Sequence, residues 1–172
     1  MDGSASPPVL RVRPARPGDV PTIYRMKLDL TRSEGNEAVL RASERDWLRD
    51  GFGPTARFRC YVAEQAGVAV GMVTYSEVYM TGLADVVFSI QDLWIDPGRR
   101  RLGAARALVT AVAAAAVQQG VPLIQLYVQD DNPAQKFYRR LGFQHLEQCF
   151  TYVIGGEPLL NLALPATATA LV

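Results

Sequence analysis

The sequence is poor in the residues that build metal centres, redox pairs and nucleophilic triads. Its 172 residues include one histidine and two cysteines. Cys60 and Cys149 lack CxxC spacing and histidine neighbours, so we expect buried thiols rather than a disulfide, a zinc site or a nucleophile. We expect no metal cofactor, and for the single histidine, His145, a surface or packing role.

An excess of charge of one sign and long apolar runs are also missing. The 18 basic and 17 acidic side chains nearly cancel, so no overall field favours nucleic acid or an anionic membrane. No segment reaches the ~20 apolar residues of a membrane span, and residues 1–8 lack the basic head and apolar stretch of a secretion signal. We therefore expect a cytoplasmic protein without nucleic-acid or membrane partners.

The chain is long enough to bury one sizeable core. It predicts a single domain over residues 9–164, preceded by an arm over 1–8 and followed by a tail over 165–172. Apolar patterns predict strands over 9–14, 58–64, 68–76, 86–95, 123–128 and 149–154. Helical periodicity predicts helices over 19–31, 44–49, 100–119 and 133–141, with Ser43 capping the second helix and Gly51 ending it. This order predicts an α/β protein with a mixed sheet covered on both faces.

The junction after the fourth predicted strand has the features of an anion site. The strand ends at Ile95, and the first turn of the next predicted helix contains Arg100, Arg101, Gly103 and Ala105. Free amides and the positive dipole end of a helix favour an anion, and small residues allow close approach. Arginines at this end cost about 0.3 to 1 kcal/mol each unless an anion is bound. The junction predicts a pyrophosphate site, and a solvated arginine-rich helix start is the alternative.

A second motif follows the strand predicted over 123–128. Asn132 suits the N-cap of a short helix, Pro133 suits its first position, and Gly142 suits the left-handed residue that ends it. Phe137 and Tyr138 lie inside this helix.

Together the two motifs resemble the GNAT family of N-acetyltransferases. The cofactor signature of that family, Arg or Gln, two residues, Gly, one residue, Gly or Ala, is matched by Arg100, Gly103 and Ala105. Its second segment is matched by Asn132, Phe137, Tyr138, Gly142 and Phe143. Because both motifs occur in the expected order and separation, the resemblance is stronger than either motif alone.

The resemblance implies a fold and a cofactor. The family fold is a central, mostly antiparallel sheet of six to seven strands flanked by about four helices, with acetyl-CoA bound at a splay between the two central parallel strands. Carried onto this sequence, the cofactor-binding positions are Leu93, Trp94, Ile95, Arg100, Arg101, Leu102, Gly103, Ala104, Ala105, Arg106, Asn132, Ala134 and Tyr138.

The implied reaction moves an acetyl group from a thioester to an amine. An alkyl amine with a pKa of about 10 must lose a proton before it attacks. The tetrahedral oxyanion needs a fixed donor, which the family takes from a backbone amide of the strand matching 93–95. The leaving thiolate belongs to a thiol with a pKa of about 8.5, so a hydroxyl can return the proton. We assign this role to Tyr138, with packing against Phe137 and Leu141 as the alternative.

A narrower resemblance, over about residues 19–163, is to the spermidine/spermine (diamine) acetyltransferase branch. Carboxylates of that branch neutralise and position a polycationic substrate. Two of its acidic positions are matched by Glu34 and Asp92, and for Glu34 a solvated loop acid is an equal alternative. The catalytic glutamate of the branch aligns with Gln91, which cannot accept a proton but can orient a water. An acidic and an aromatic position align with Thr81 and Leu83.

These departures leave the acceptor open, and the candidates for the catalytic base are Gln91 acting through a water, Asp92 or another acid. Successive strand residues face opposite sides, so Gln91 and Asp92 share one pocket only if a bulge intervenes. A lysine analogue such as thialysine, or another small amine, is as plausible an acceptor as a polyamine. The branch also implies a homodimer. The rival interpretation is a non-catalytic acyl-CoA-binding module that kept the cofactor turn and lost its base.

Overall fold

The computed structural model describes residues 9–100, 102–147, 154 and 156–163. These residues fall into two compact units, which meet in sequence between Asn132 and Pro133. Within these ranges, none of the helices combines the length and the apolarity that crossing a membrane requires. The prediction of one domain over 9–164 stays a prediction.

One mixed sheet forms the centre of the first unit. Its strands, in both chain order and spatial order, are β1 (Leu10–Pro14), β2 (Arg59–Gln65), β3 (Val68–Met80), β4 (Asp85–Ile95) and β5 (Ile124–Leu126). The first four are antiparallel to their neighbours, and β5 is parallel to β4. The predicted mostly antiparallel sheet is confirmed. The described residues hold five of the six to seven strands expected, and the strand predicted over 149–154 falls outside them except for Ile154.

The described helices are α1 (Val20–Ser33), α2 (Glu44–Phe52), α3 (Ala104–Gln119), α4 (Gln135–Arg140) and α5 (Gly156–Ala163). Ser43 caps α2 as predicted, and its side chain and that of Asp46 bond each other's backbone amides. Gly51 was wrongly expected to end this helix, which continues to Phe52 and is capped by Gly53. The sequence analysis did not predict α5.

Apolar side chains cover both faces of the sheet. On one face, α1 and α2 pack over the strands in a buried cluster of Val20, Ile23, Met26, Trp47, Cys60, Val62 and Met72. The strand residues that alternate with these, among them Ala63, Val73 and Tyr75, are at most 2% exposed. Helix α3 packs against β1 to β4 through its own buried residues, which include Leu108 and Val112.

Candidate active site

The parallel pairing of β4 and β5 is short and leaves part of β4 open. It covers three residue pairs and ends where Ile90 faces Leu126. Strand β4 continues to Ile95, and in the described part of the chain residues 92–95 pair with β3 alone. Leu93, Trp94 and Ile95, predicted to contact the cofactor, therefore lie beyond the end of the parallel pairing.

A β-bulge interrupts β4 at the same point. Thr74 faces Asp92 and the next β3 residue, Tyr75, faces Ile90, so Gln91 has no partner on β3. A bulge sets two residues of one strand opposite one residue of the other and alters the local alternation of side chains.

The bulge brings Gln91 and Asp92 to one face of the sheet. The Gln91 amide Nε2 donates to Ser76 Oγ at 3.2 Å, and Asp92 Oδ2 accepts from Thr74 Oγ1 at 2.8 Å. Because Thr74 and Ser76 are two residues apart on β3, their side chains share a face. The condition that the sequence analysis placed on a common pocket, an intervening bulge, is thus met.

Asp92 is a buried and fully engaged carboxylate. It is 8% exposed, and its Oδ1 lies 2.6 Å from Lys27 Nζ on α1, while Thr74 holds the other oxygen. A charge in a strand interior is costly unless paired, which is why a partner was to be expected. The sequence analysis did not find Lys27. The helical spacing of the sequence contained a signal for it, because Lys27 lies four residues from both Ile23 and Thr31, in the stripe of α1 that faces the sheet.

Cys60 lies beside this group on β2, opposite Thr74 in the register. Burial raises the pKa of the Cys60 thiol, and the nearby Asp92 carboxylate raises it further. The thiol therefore stays protonated and unreactive, as expected for a structural cysteine. Cys149 lies outside the described residues.

Glu34, the second predicted substrate carboxylate, is the C-cap residue of α1 and is exposed. It follows Lys27 by seven residues, which is about two helical turns, or roughly 10 Å along the same face of the helix. It is thus on the side of α1 that carries Lys27 but does not join the Asp92 group.

The segment between β4 and α3 differs from the predicted helix start. Asp96 accepts a hydrogen bond from the Gly98 amide at 2.8 Å, and a short 3-10 turn spans Pro97–Arg99. Arg100 is extended, Gly103 has a left-handed φ of 84°, and α3 begins at Ala104. The prediction that Arg100, Arg101 and Leu102 form the first helical turn is therefore wrong for the described Arg100 and Leu102. Arg101 lies outside the described residues.

The start of α3 nevertheless has the physical properties of an anion site. The first intrahelical bond runs from the Ala107 amide to Gly103 O at 2.9 Å, so the amides of residues 104–106 have no acceptor within the helix. A methyl group built on Gly103 would meet no atom within 4 Å. An open groove of about 490 Å³, lined partly by Arg106, begins at Gly103 and follows α3 beside β1.

The second unit contains α4, whose start also differs from expectation. Asn132 was predicted as the N-cap, but its amide donates to Gln129 O at 3.0 Å and Ala134 caps the helix instead. Gly142 has a φ of 98°, which confirms the predicted left-handed residue after the helix.

Tyr138, the predicted general acid, lies in α4 and is half-buried. Its ring makes edge contacts with Phe137 and Phe143, with centroids 5.2 and 5.7 Å away. The Phe143 amide also bonds Tyr138 O at 3.1 Å. The ring is therefore held by two aromatic neighbours from its own unit.

Solved structures define the class of fold. An aminoglycoside acetyltransferase from an uncultured soil metagenomic sample superposes with a TM-score of 0.70 at 17% identity, covering 85% of this chain and 97% of that chain. An aminoglycoside N-acetyltransferase in complex with CoA gives a TM-score of 0.71 at 19% identity, covering 87% and 97%. The chain thus has the same fold as these two proteins.

Sequence comparison defines the family. Residues 21–143 match the model of the acetyltransferase (GNAT) family. The thialysine N-epsilon-acetyltransferase of Mus musculus is 31% identical over 165 residues, covering 89% of this chain and 96% of that protein. The enzyme of that name from Bos taurus is 30% identical over 166 residues, covering 88% and 96%.

The chain belongs to the GNAT family and is an acetyl-CoA-dependent N-acetyltransferase. The resemblance inferred from the two sequence motifs is thereby confirmed, and so is the fold class. Family membership favours the enzyme over the non-catalytic binding module.

Proposed function

We propose that this enzyme transfers the acetyl group of acetyl-CoA directly to a primary amine of a small molecule of the lysine-analogue, diamine or polyamine type. The likeness to thialysine N-epsilon-acetyltransferases, which extends over nearly the whole of both chains, supports this acceptor class. The observation that carries the proposal is that β4 has no β5 partner beyond Ile90 in the described part of the chain and that, after residues 96–103, the start of α3 presents amides without acceptors in the helix.

The cofactor binds along this path. The amides of 104–106 receive the diphosphate of CoA, because Gly103 leaves the approach open and the helix dipole favours an anion. Arg100, Arg101 and Arg106 supply positive charge around it. A backbone amide of residues 93–95 stabilises the oxyanion that forms on the thioester carbonyl.

The amine loses its proton through a water rather than directly to a carboxylate. Gln91 carries no charge and so is not a base. In the described part of the chain its Oε1 accepts no hydrogen bond, and this oxygen is therefore available to hold a water. Asp92 already accepts from Lys27 and Thr74. The family resemblance assigns the return of a proton to the leaving thiolate to Tyr138.

Release of the CoA thiol from acetyl-CoA tests the proposal. The assay covers polyamines, lysine analogues, aminoglycosides and peptide N-termini, and we expect turnover with at least one lysine analogue, diamine or polyamine. Binding of acetyl-CoA without thiol release for any amine would support the rival binding module instead.

Replacing a hydroxyl tests the general acid. Tyr138→Phe is expected to lower kcat while leaving the Kd for acetyl-CoA nearly unchanged. Tyr24→Phe is the matched control, because the Tyr24 hydroxyl bonds the Ala42 carbonyl at 2.8 Å and has no role in the proposed reaction. An undiminished kcat in Tyr138→Phe would exclude this assignment.

The homodimer and the cytoplasmic location are part of the same proposal. The resemblance to the diamine acetyltransferase branch supports the homodimer. Light scattering coupled to size exclusion measures the first, and a mass of one chain at working concentration would refute it.

A further inference from the structure

The ion pair between Lys27 and Asp92 lies on the face of the sheet that also carries Gln91, the residue proposed to hold the water that takes the proton of the acceptor amine. Lys27 reaches it from α1 and Asp92 from β4, beside the bulge. Their side chains are 23% and 10% exposed, so solvent screens the pair only in part.

The geometry shows a carboxylate that is neutralised from inside the protein. The Lys27 ammonium lies 2.6 Å from Asp92 Oδ1, and the Thr74 hydroxyl bonds Oδ2 at 2.8 Å. In the described part of the chain, Asp92 is the carboxylate within ion-pair distance of Lys27. The pair brings a net charge of zero to this face.

A free carboxylate and a neutralised one select different substrates. A lone Asp92 would attract a second ammonium on the acceptor, because opposite charges at about 4 Å attract strongly even with partial screening. With Lys27 in place, that second ammonium meets a like charge at the same position and gains little.

We propose that Lys27 is a specificity-determining residue that withholds Asp92 from the substrate and so disfavours short diamines relative to monoamines of equal length. The inference rests on the proposed function. It concerns which amines are preferred, whereas the proposed function concerns whether an amine is acetylated at all.

Other charged groups nearby do not replace Asp92 in this role. Glu34 is about two turns further along α1 than Lys27 and does not join the Asp92 group. Glu77 on β3 is paired with Arg59 at 2.8 Å.

The test compares butylamine with 1,4-diaminobutane, which differ by the second ammonium. The measured quantity is the ratio of kcat/KM for the diamine to that for the monoamine, at neutral pH where both are protonated. If one of these amines is too poor a substrate for kcat/KM to be measured, its Ki as an inhibitor of acetylation of the best acceptor in the panel is measured instead. Lys27→Met is expected to raise this ratio about tenfold or more, because it exposes an unpaired carboxylate to the second ammonium.

Two controls separate this effect from general damage. Lys27→Arg keeps a cation beside Asp92 and should retain the ratio of the unaltered enzyme. Arg32→Met removes a cation from the same helix, but Arg32 is 61% exposed and paired with Asp29, so the ratio should again be retained.

Because Lys27→Met leaves a buried charge unpaired and can fail to fold, Asp92→Asn provides an independent measurement. It leaves the Lys27 cation uncompensated and should lower the ratio about tenfold or more. The double variant Lys27→Met with Asp92→Asn removes both charges and should restore the original ratio.

An unchanged ratio in Lys27→Met or in Asp92→Asn would overturn the inference. So would a ratio that stays raised in the double variant, or an unaltered enzyme that already prefers the diamine strongly. Failure of the proposed function is distinguishable, since it appears as absence of thiol release with every amine tested.

Discussion

Substituting Gly103 by alanine perturbs the proposed diphosphate site at one atom. Gly103 has a φ of 84°, and a left-handed conformation costs an L-residue about 1 to 2 kcal/mol. For a protein of this size that cost lowers Tm by roughly 2 to 8 °C. The new methyl meets no protein atom within 4 Å, so its second effect is on the affinity for the ligand. Loss of one hydrogen bond to a charged group costs about 1.5 to 3 kcal/mol, or roughly 10- to 150-fold in Kd.

The opposite end of the same helix provides the control. Gly120 caps α3 with a φ of 71°, and a methyl there also meets nothing within 4 Å. Gly120→Ala should therefore lose similar stability and keep full affinity for CoA. Calorimetric titration with CoA gives Kd, and thermal unfolding gives Tm. Equal affinities for CoA in the two variants would refute the placement of the diphosphate at Gly103.

Three further predictions concern stability. Ser43→Ala removes the N-cap of α2 and should cost about 1 kcal/mol in urea unfolding, whereas a loss near zero would contradict the capping role. Gly71→Ala places a methyl 2.5 Å from Ile95 Cδ1 and should lower the free energy of unfolding by about 1 to 3 kcal/mol. An unchanged unfolding midpoint would contradict this, because it would mean that β4 moves away from the methyl without cost. Hydrogen bonds from Arg13 hold the pKa of Asp19 below its ordinary value of 3.8. The stability this adds is complete above pH 3.8 and is lost as the pH falls through the lower folded-state pKa. Arg13→Met should therefore destabilise the protein at neutral pH but much less in acid, and a pH-independent loss would contradict this assignment.

The two motifs could be recognised from the sequence, but not where their helices begin. From the sequence, Arg100 was placed in the first turn of a helix that follows the fourth predicted strand, and Asn132 was placed at a helix start because asparagine is a good N-cap. In the structure, the left-handed Gly103 separates Arg100 from α3, and a tight turn displaces the start of α4 to Gln135. Such boundaries depend on single φ values, which a pattern of residue types does not determine.

The polar centre of the site was only partly predictable. That Asp92 needs a partner follows from its position inside a strand, but the choice of Lys27 depends on how α1 lies across the sheet. The bulge at Gln91 depends on the register of β3 against β4. Both are long-range pairings, and apolar periodicity within one segment contains no information about them.

The register around Gln91 also shows what that residue is not needed for. Ile90 and Asp92 already face consecutive residues of β3, so a chain shortened by one residue at position 91 would keep every cross-strand partner on either side. An uninterrupted ladder of pairs between β3 and β4 would be at least as stable. What position 91 contributes is therefore a polar side chain and a local break in the regular strand geometry, beside the place where we propose that the acyl group is transferred.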